Sequence, residues 1–398
     1  MNPEIRNLDT ANLSDFQPSA KAVRQIQSVA ILGGAILLAG VILAPDRFWP
    51  NFLLGSYLLV GIGLSAVFFM ALQYVIGASW AVALRRVPEA MSAVLPVAAL
   101  GLAAVFLFQP SIYSWVGGSE GAESLTGFKA AWLTLPFFWV RSAVYLMLWI
   151  ALAYAIVHTS RRQDRDGDFS HTRRNVRFSA LFLVVFAVTF SLASFDWIMS
   201  LEPDWYSTIF GVYNFAGMFS GGLAALILLV IWLRRAGPLR DFVNEEHFHD
   251  LGKLLFAFSI FWMYIWFCQY MLIWYSNIPE ETIYFVHRLH KFWEPVFLLN
   301  IFLNWVIPFL VLLPRSAKRN PAVLGKVAIV MLAGRWWDVY LMIFPPLVGP
   351  APVFGIWEVG AILGAVGLFL IVFLRAVRQA PLVPVNDPYL SESLQYHN

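Results

Sequence analysis

Residues 209–233 read IFGVYNFAGMFSGGLAALILLVIWL, an uncharged run followed at once by Arg234 and Arg235. A helix rises 1.5 Å per residue, so this run is long enough to cross about 30 Å of hydrocarbon. The run is not isolated. Comparable stretches lie at about 26–44, 51–77, 89–108, 131–157, 178–201, 252–275, 293–313, 322–344 and 354–375. With no water in the bilayer to satisfy the backbone, stretches this long and this uniformly apolar must be helical. The alternating pattern of a membrane barrel is absent. The reading is therefore an all-α polytopic membrane protein of about ten spans, with Pro96, Pro136 and Pro308 as expected kinks.

Composition agrees. The chain of 398 residues is 60% apolar and only 13% charged, against about 25% charged in a soluble domain. Three regions follow: an N-terminal segment 1–25, a ten-helix transmembrane domain 26–378, and a tail 379–398. The tail, with three prolines, reads as an extended arm that docks on a neighbour or stays mobile. The first apolar stretch shows no small-residue cleavage site and reads as a retained helix rather than a removed signal peptide. The loop 109–130 carries Tyr113 and Trp115 and is expected on the membrane face or against a partner.

Counting basic residues in alternate loops gives the orientation. Of the 27 Lys and Arg, 21 fall on the side of the termini, four (Arg47, Lys129, Arg288 and Lys291) on the other, and Arg141 and Arg335 lie within spans. The positive-inside rule places both termini in the cytoplasm. The small net charge of +3 gives no sign of nucleic acid as a partner; membrane lipid is the expected one. The sole cysteine, Cys268, excludes a disulfide framework, a cysteine-ligated iron–sulfur cluster and a covalent haem motif. None of the seven histidines is in mid-span, which argues against a transmembrane haem. There is no P-loop and no metalloprotease motif.

Ionisable groups inside spans are costly and are read first as functional, with a buried structural pair as the competing reading. Arg141, Asp196, Glu294, Asp338 and Glu358 fall towards the outer side, with Arg335 near the midplane; the inner half offers only Gln73, Thr189, Ser259, Lys253 and Lys326. The polar apparatus is thus expected to be lopsided towards the outside. Arg335 and Asp338, three apart, share a helix face. Arg141 needs a partner from another span, with Asp196 or Glu358 as candidates. Arg335, Asp338 and Glu358 are expected to form a second cluster. His287, His290 and Glu294 have the spacing of one helix face, open to a proton-exit, solvated or metal-binding role, and no metal site is assigned. Asp196, Glu202, Arg141, Arg335, Asp338, Glu358, His287, His290 and Glu294 are the proton-relay candidates. The aromatic run Phe261–Phe267 is read as packing or as a wall for a flat apolar ligand.

The segment Asp196-Trp197-Ile198-Met199-Ser200-Leu201-Glu202-Pro203, continuing through Trp205-Tyr206-Ser207-Thr208-Ile209-Phe210-Gly211, resembles the polysulfide-reductase-like (NrfD-like) membrane subunits, as does Trp139-Val140-Arg141 followed by Tyr145. More narrowly, it is similar to the membrane subunits of alternative complex III, a quinol:cytochrome c or other acceptor oxidoreductase, and to the shorter, ActF-like paralogue of the two. The resemblance implies two four-helix bundles plus peripheral helices, and no redox cofactor in this chain. It also implies a paralogous membrane subunit, iron–sulfur and multihaem cytochrome c subunits on the periplasmic side, a terminal oxidase as a further partner, and a bacterial inner membrane. In such complexes quinol is oxidised near the outer face, at a site associated mainly with the longer paralogue, and the membrane subunits are candidates for proton transfer. A purely structural anchor and a secondary transporter are the alternatives.

Overall fold

The computed structural model describes residues 16, 18–116 and 125–397. Arg6 and most of the 1–25 segment, and residues 117–124 of the 109–130 loop, lie outside the described residues. Among the described residues, ten helices are long and apolar enough to cross a membrane: α1 (Ala20–Leu43), α2 (Pro45–Ile76), α3 (Arg86–Phe108), α4 (Leu135–Asp166), α5 (Ser170–Leu201), α6 (Phe210–Ala236), α7 (Glu245–Ser276), α8 (Glu294–Leu312), α9 (Pro321–Val348) and α10 (Ile356–Val377). Each apolar stretch of the sequence corresponds to one of them. There is no strand among the described residues, and the chain is an all-α multi-pass membrane protein.

Several helices outrun their apolar stretch as polar turns, notably α4 to Asp166 and α7 from Glu245. α7 starts under a side-chain cap, Asn244 accepting from the N–H groups of Glu246 and His247 at 3.0 and 3.2 Å. The three prolines act differently from one another. α3 is interrupted at Ala93 and Val94, just ahead of Pro96. Pro136 sits in the first turn of α4, where its missing N–H costs nothing. Pro308 follows a π-helical turn at Phe302–Val306.

Helices α2 to α5 close one four-helix bundle and α6 to α9 a second; α2 and α5 pack on α6, and α2 also on α9, joining the two. α10 leans on α2, and α1 lies antiparallel on α10. That outer pair is held by close backbone approach. A Cβ on Gly33 would collide with the backbone of Gly364, and one on Gly367 with Ala30, the small-residue contact that substitutes for hydrophobic driving force within lipid. α6 is the most buried helix and α1 the least. The outward faces are apolar, as at Ile31, Leu38, Ile42, Val184 and Leu272.

The tail docks on its own chain. Leu382, Val383 and Leu390 are buried, Asp387 pairs with Arg85, and Ser393 accepts from the Ala83 N–H at 3.0 Å and donates to the Trp80 carbonyl at 2.7 Å. Tyr396 donates to Asp250 Oδ2 at 2.7 Å. The segment after α10 is thus a strap across the end of the bundles at which α1 begins and α10 finishes.

Candidate functional site

Each four-helix bundle encloses a buried aspartate held by an arginine and a tyrosine. In the first, Asp196 sits near the end of α5 with no solvent exposure. Arg141 of α4 donates to it through Nε (2.9 Å) and Nη2 (2.8 Å), the bidentate geometry that suits guanidinium to carboxylate. Tyr145 Oη donates to Oδ2 (3.1 Å), and the Trp132 indole N–H to Oδ1 (2.8 Å). The remaining reach of Arg141 is to the Trp132 carbonyl (2.9 Å), with the Trp132 and Phe137 rings 4.0 and 4.3 Å from its Cζ. Of the two partners expected for Arg141, Asp196 is the one.

In the second bundle every helix contributes to one carboxylate. Asp338 of α9 accepts from Arg335 Nη1 (2.6 Å), one turn earlier on the same helix. It also accepts from Tyr213 Oη of α6, Trp262 Nε1 of α7 (3.4 Å) and Asn300 Nδ2 of α8 (3.1 Å). Space for the arginine comes from α6: a Cβ on Gly217 would overlap Arg335 Nη1, and one on Gly221 would lie 2.9 Å from its Cγ. The π-helical turn begins just after Asn300 and includes Asn304, whose Nδ2 donates to the Asn300 side chain (2.7 Å) and the Gly334 carbonyl (3.0 Å). Tyr57 of α2, donating to Asn214 of α6 at 3.0 Å, ties the bundles together.

Glu358 does not join Arg335 and Asp338. It lies in the first turn of α10 and pairs with Arg47 in the first turn of α2, with Asn51 Nδ2 and the Gly355 N–H as further donors at 2.9 and 2.7 Å. A negative group at a helix N-terminus is favoured by the backbone dipoles, so this is a fastening of α2 to α10.

Glu202, just after α5, is gripped by Arg288 (Nη2 to Oε2, 2.8 Å) and His287 (Nδ1 to Oε1, 3.2 Å). Arg288 is buried; it also donates to the carbonyls of Tyr284, Leu341 and Met342 at 2.9, 2.8 and 3.2 Å and stacks on Tyr284. It locks the short helix Pro279–Leu289 to α9. Burial pushes the Glu202 carboxyl up, but Arg288 and His287 outweigh it and hold the carboxyl below its usual range. Burial also raises the Tyr284 hydroxyl, against the opposing pull of Arg288.

His287, His290 and Glu294 do not share a helix face. The helix ends at Leu289, Lys291 takes the left-handed conformation (φ 34°), and Glu294 opens α8. All three are exposed, and no group of three or more His, Cys, Asp or Glu side chains suited to a metal occurs among the described residues.

The expected lopsidedness towards one side is corrected by a charge cluster at the opposite end. Arg86 pairs with Glu89 and Asp164, and Ser160 bridges by accepting from Arg86 (3.1 Å) and donating to Glu89 (2.6 Å). Arg85, paired with Asp387, lies 4.4 Å over the Tyr74 ring, whose hydroxyl accepts from Asn175 at 3.1 Å. Between this cluster and Asp196 the first bundle is filled by Trp149, Phe182, Phe186 and Phe190, all buried. Of the inner-half groups named from the sequence, Thr189 accepts from Trp149 (2.8 Å), Ser259 is buried against the Phe256 carbonyl (3.0 Å), Gln73 is buried, and Lys326 is exposed.

Sequence reasoning missed Arg288, Arg47 and the Arg85/Arg86 cluster by treating them as loop charges. Pro45 in the first turn of α2 was the signal that could have placed Arg47 on a helix. The Phe261–Phe267 run contributes Trp262 to Asp338, while Tyr264 and Phe267 face outward. No family model matches the chain, and no curated protein matches it.

Proposed function

We propose that this chain is a cofactor-free membrane subunit of a respiratory quinol:electron acceptor oxidoreductase of the alternative complex III type, the shorter of its two NrfD-like subunits. In this reading it anchors the redox subunits and contributes to proton transfer. The observation that carries the proton-transfer reading is Asp338: one carboxylate, with no solvent exposure, that collects an arginine, a tyrosine, an indole and an amide from all four helices of its bundle. A carboxylate with hydroxyl and guanidinium neighbours is the equipment of a proton relay, and ionisable groups at membrane depth default to such roles. Asp196 with Arg141 and Tyr145 offers the same chemistry in the first bundle.

The proposed setting is a bacterial inner membrane with both termini in the cytoplasm, since the basic residues crowd at that end. The far end, with Glu202, Arg288 and the Glu358–Arg47 pair, would then face the periplasm and the subunits bearing iron–sulfur clusters and c-type haems. The complete pairing of both aspartates favours a second reading, a structural anchor without proton traffic.

Purification of the tagged chain from its native membranes in mild detergent, with a visible absorption spectrum and identification of co-purifying proteins, tests the assignment. Co-purified c-type haem and iron–sulfur subunits are the expected result. A lone colourless protein from intact membranes overturns it.

A further inference from the structure

Two hollows lie along α6, one turn apart. The first is a cavity of about 620 Å³ between α2, α6, α9 and α10. It exists because α9 and α10, consecutive in the chain, both pack on α2 instead of on each other. Its wall is mostly hydrocarbon, including Leu228, Ile329, Leu332, Val366, Phe369 and Leu370, with Tyr57 and Arg335 also lining it, and Ile329 and Val366 are exposed on the lipid side. The volume is that of a ligand pocket, about 300–1,000 Å³, and an apolar hollow of this kind excludes water. The second hollow, about 460 Å³, lies at the end of the molecule where α1 begins and α10 finishes and is lined by Arg234, Arg235, Arg240 and Phe248, with the start of α9 beside it. Arg234 lies 5.4 Å over the Phe248 ring.

What marks this second hollow is that three arginines line it together with no carboxylate among them. Arg85, Arg86, Arg319 and Lys253 are paired with carboxylates. Arg234, Arg235 and Arg240 make no ion pair among the described residues, and no carboxylate lines their hollow. Leu228 in the apolar cavity and Ile231 in the basic hollow both face Gly325 of α9, at 4.0 and 3.2 Å from where a Cβ would lie. The arrangement has a cationic end at the close of a membrane span and an apolar slot one turn deeper.

We propose that these two hollows form one site for an anionic phospholipid, the phosphodiester on Arg234, Arg235 and Arg240 and an acyl chain in the cavity between α9 and α10. Guanidinium groups recognise phosphate oxygens by paired N–H donation, and basic recesses between membrane helices suit acidic headgroups. The site is independent of the respiratory reading, since it needs only this chain and a bilayer.

The test is native mass spectrometry of the purified full-length chain titrated with dioleoyl phosphatidylglycerol, dioleoyl phosphatidylcholine or inorganic phosphate. Phosphatidylglycerol is retained and phosphatidylcholine is not. Each arginine near the surface contributes about five-fold, so the triple variant R234Q/R235Q/R240Q binds on the order of a hundred-fold more weakly. The control R173Q/R174Q/R177Q, at the same end on α5, leaves binding unchanged, and Ala333→Trp, which narrows the mouth of the cavity, reduces it. Equal retention of phosphatidylcholine, equal loss in the control, or displacement by inorganic phosphate at matching concentration overturns the proposal. Undiminished binding in Ala333→Trp removes the acyl chain from the cavity and overturns it as stated.

Discussion

Arg141 holds Asp196 through two donors, at 2.9 and 2.8 Å, between helices that are neighbours in the first bundle. Both groups are buried, so neither is at ease without the other. Removing one partner of a buried pair leaves an uncompensated charge, which costs about 3–5 kcal/mol, whereas replacing both by apolar groups is often close to neutral. Arg141→Met and Asp196→Leu are each expected to be strongly destabilising, and the double variant less so than the sum of the two. Thermal unfolding in detergent of the three variants measures this directly; additive losses would contradict the pairing.

Glu202 supplies a pH dependence whose sign is fixed by its neighbours. Its carboxyl lies below the usual range because Arg288 and His287 outweigh the effect of burial. A depressed carboxylate contributes stability that is present above the unfolded value of about 4.3 and is lost as pH falls through the folded value. Melting temperature is therefore expected to fall on acidification below about pH 4, and more shallowly in Glu202→Gln. An identical acid limb in the variant would assign the loss to other groups.

The strap after α10 closes the basic end through Asp387 and Arg85. Asp387→Asn leaves a buried guanidinium without its counter-charge, at a cost of about 3 kcal/mol. Hydrogen exchange should rise in residues 379–397 and in the turn Ser79–Leu84 that the strap covers. Exchange confined to residues 379–397 would show that the strap does not hold that turn.

Gly217 makes room for Arg335, since a Cβ there would overlap its Nη1. Gly217→Val is expected to displace the guanidinium from Asp338 and lower the melting temperature by several degrees. Gly34→Ala, where a Cβ meets nothing within 4 Å, is expected to leave it unchanged. Equal behaviour of the two variants would remove the close approach of α6 and α9 from the account.

The ten spans were legible because a bilayer leaves a long, uniformly apolar stretch only the helix, and the run at 209–233 declares it without help from packing. The pair Arg335 and Asp338 was legible for the same reason of locality: three residues on one helix fix their proximity. Arg141 with Asp196 required a choice between two candidates on other helices. Pairings across long sequence distance were not legible. Glu358 meets Arg47 across 311 residues, and Arg288 meets Glu202 across 86, through helix neighbourhoods that no local pattern encodes. His287, His290 and Glu294 have the spacing of a helix face, yet the left-handed turn at Lys291 breaks the periodicity on which that reading rests.

Under the proposed function, Asp338 takes part in proton transfer coupled to quinol oxidation, and protons released per electron measure it. The measurement is made on the complex purified from cells carrying wild-type chain or Asp338→Asn and reconstituted in vesicles. The account predicts a complex that still assembles but releases fewer protons per electron, or turns over at least ten-fold more slowly. Unchanged stoichiometry together with unchanged turnover would contradict it and leave Asp338 as a fastening of four helices.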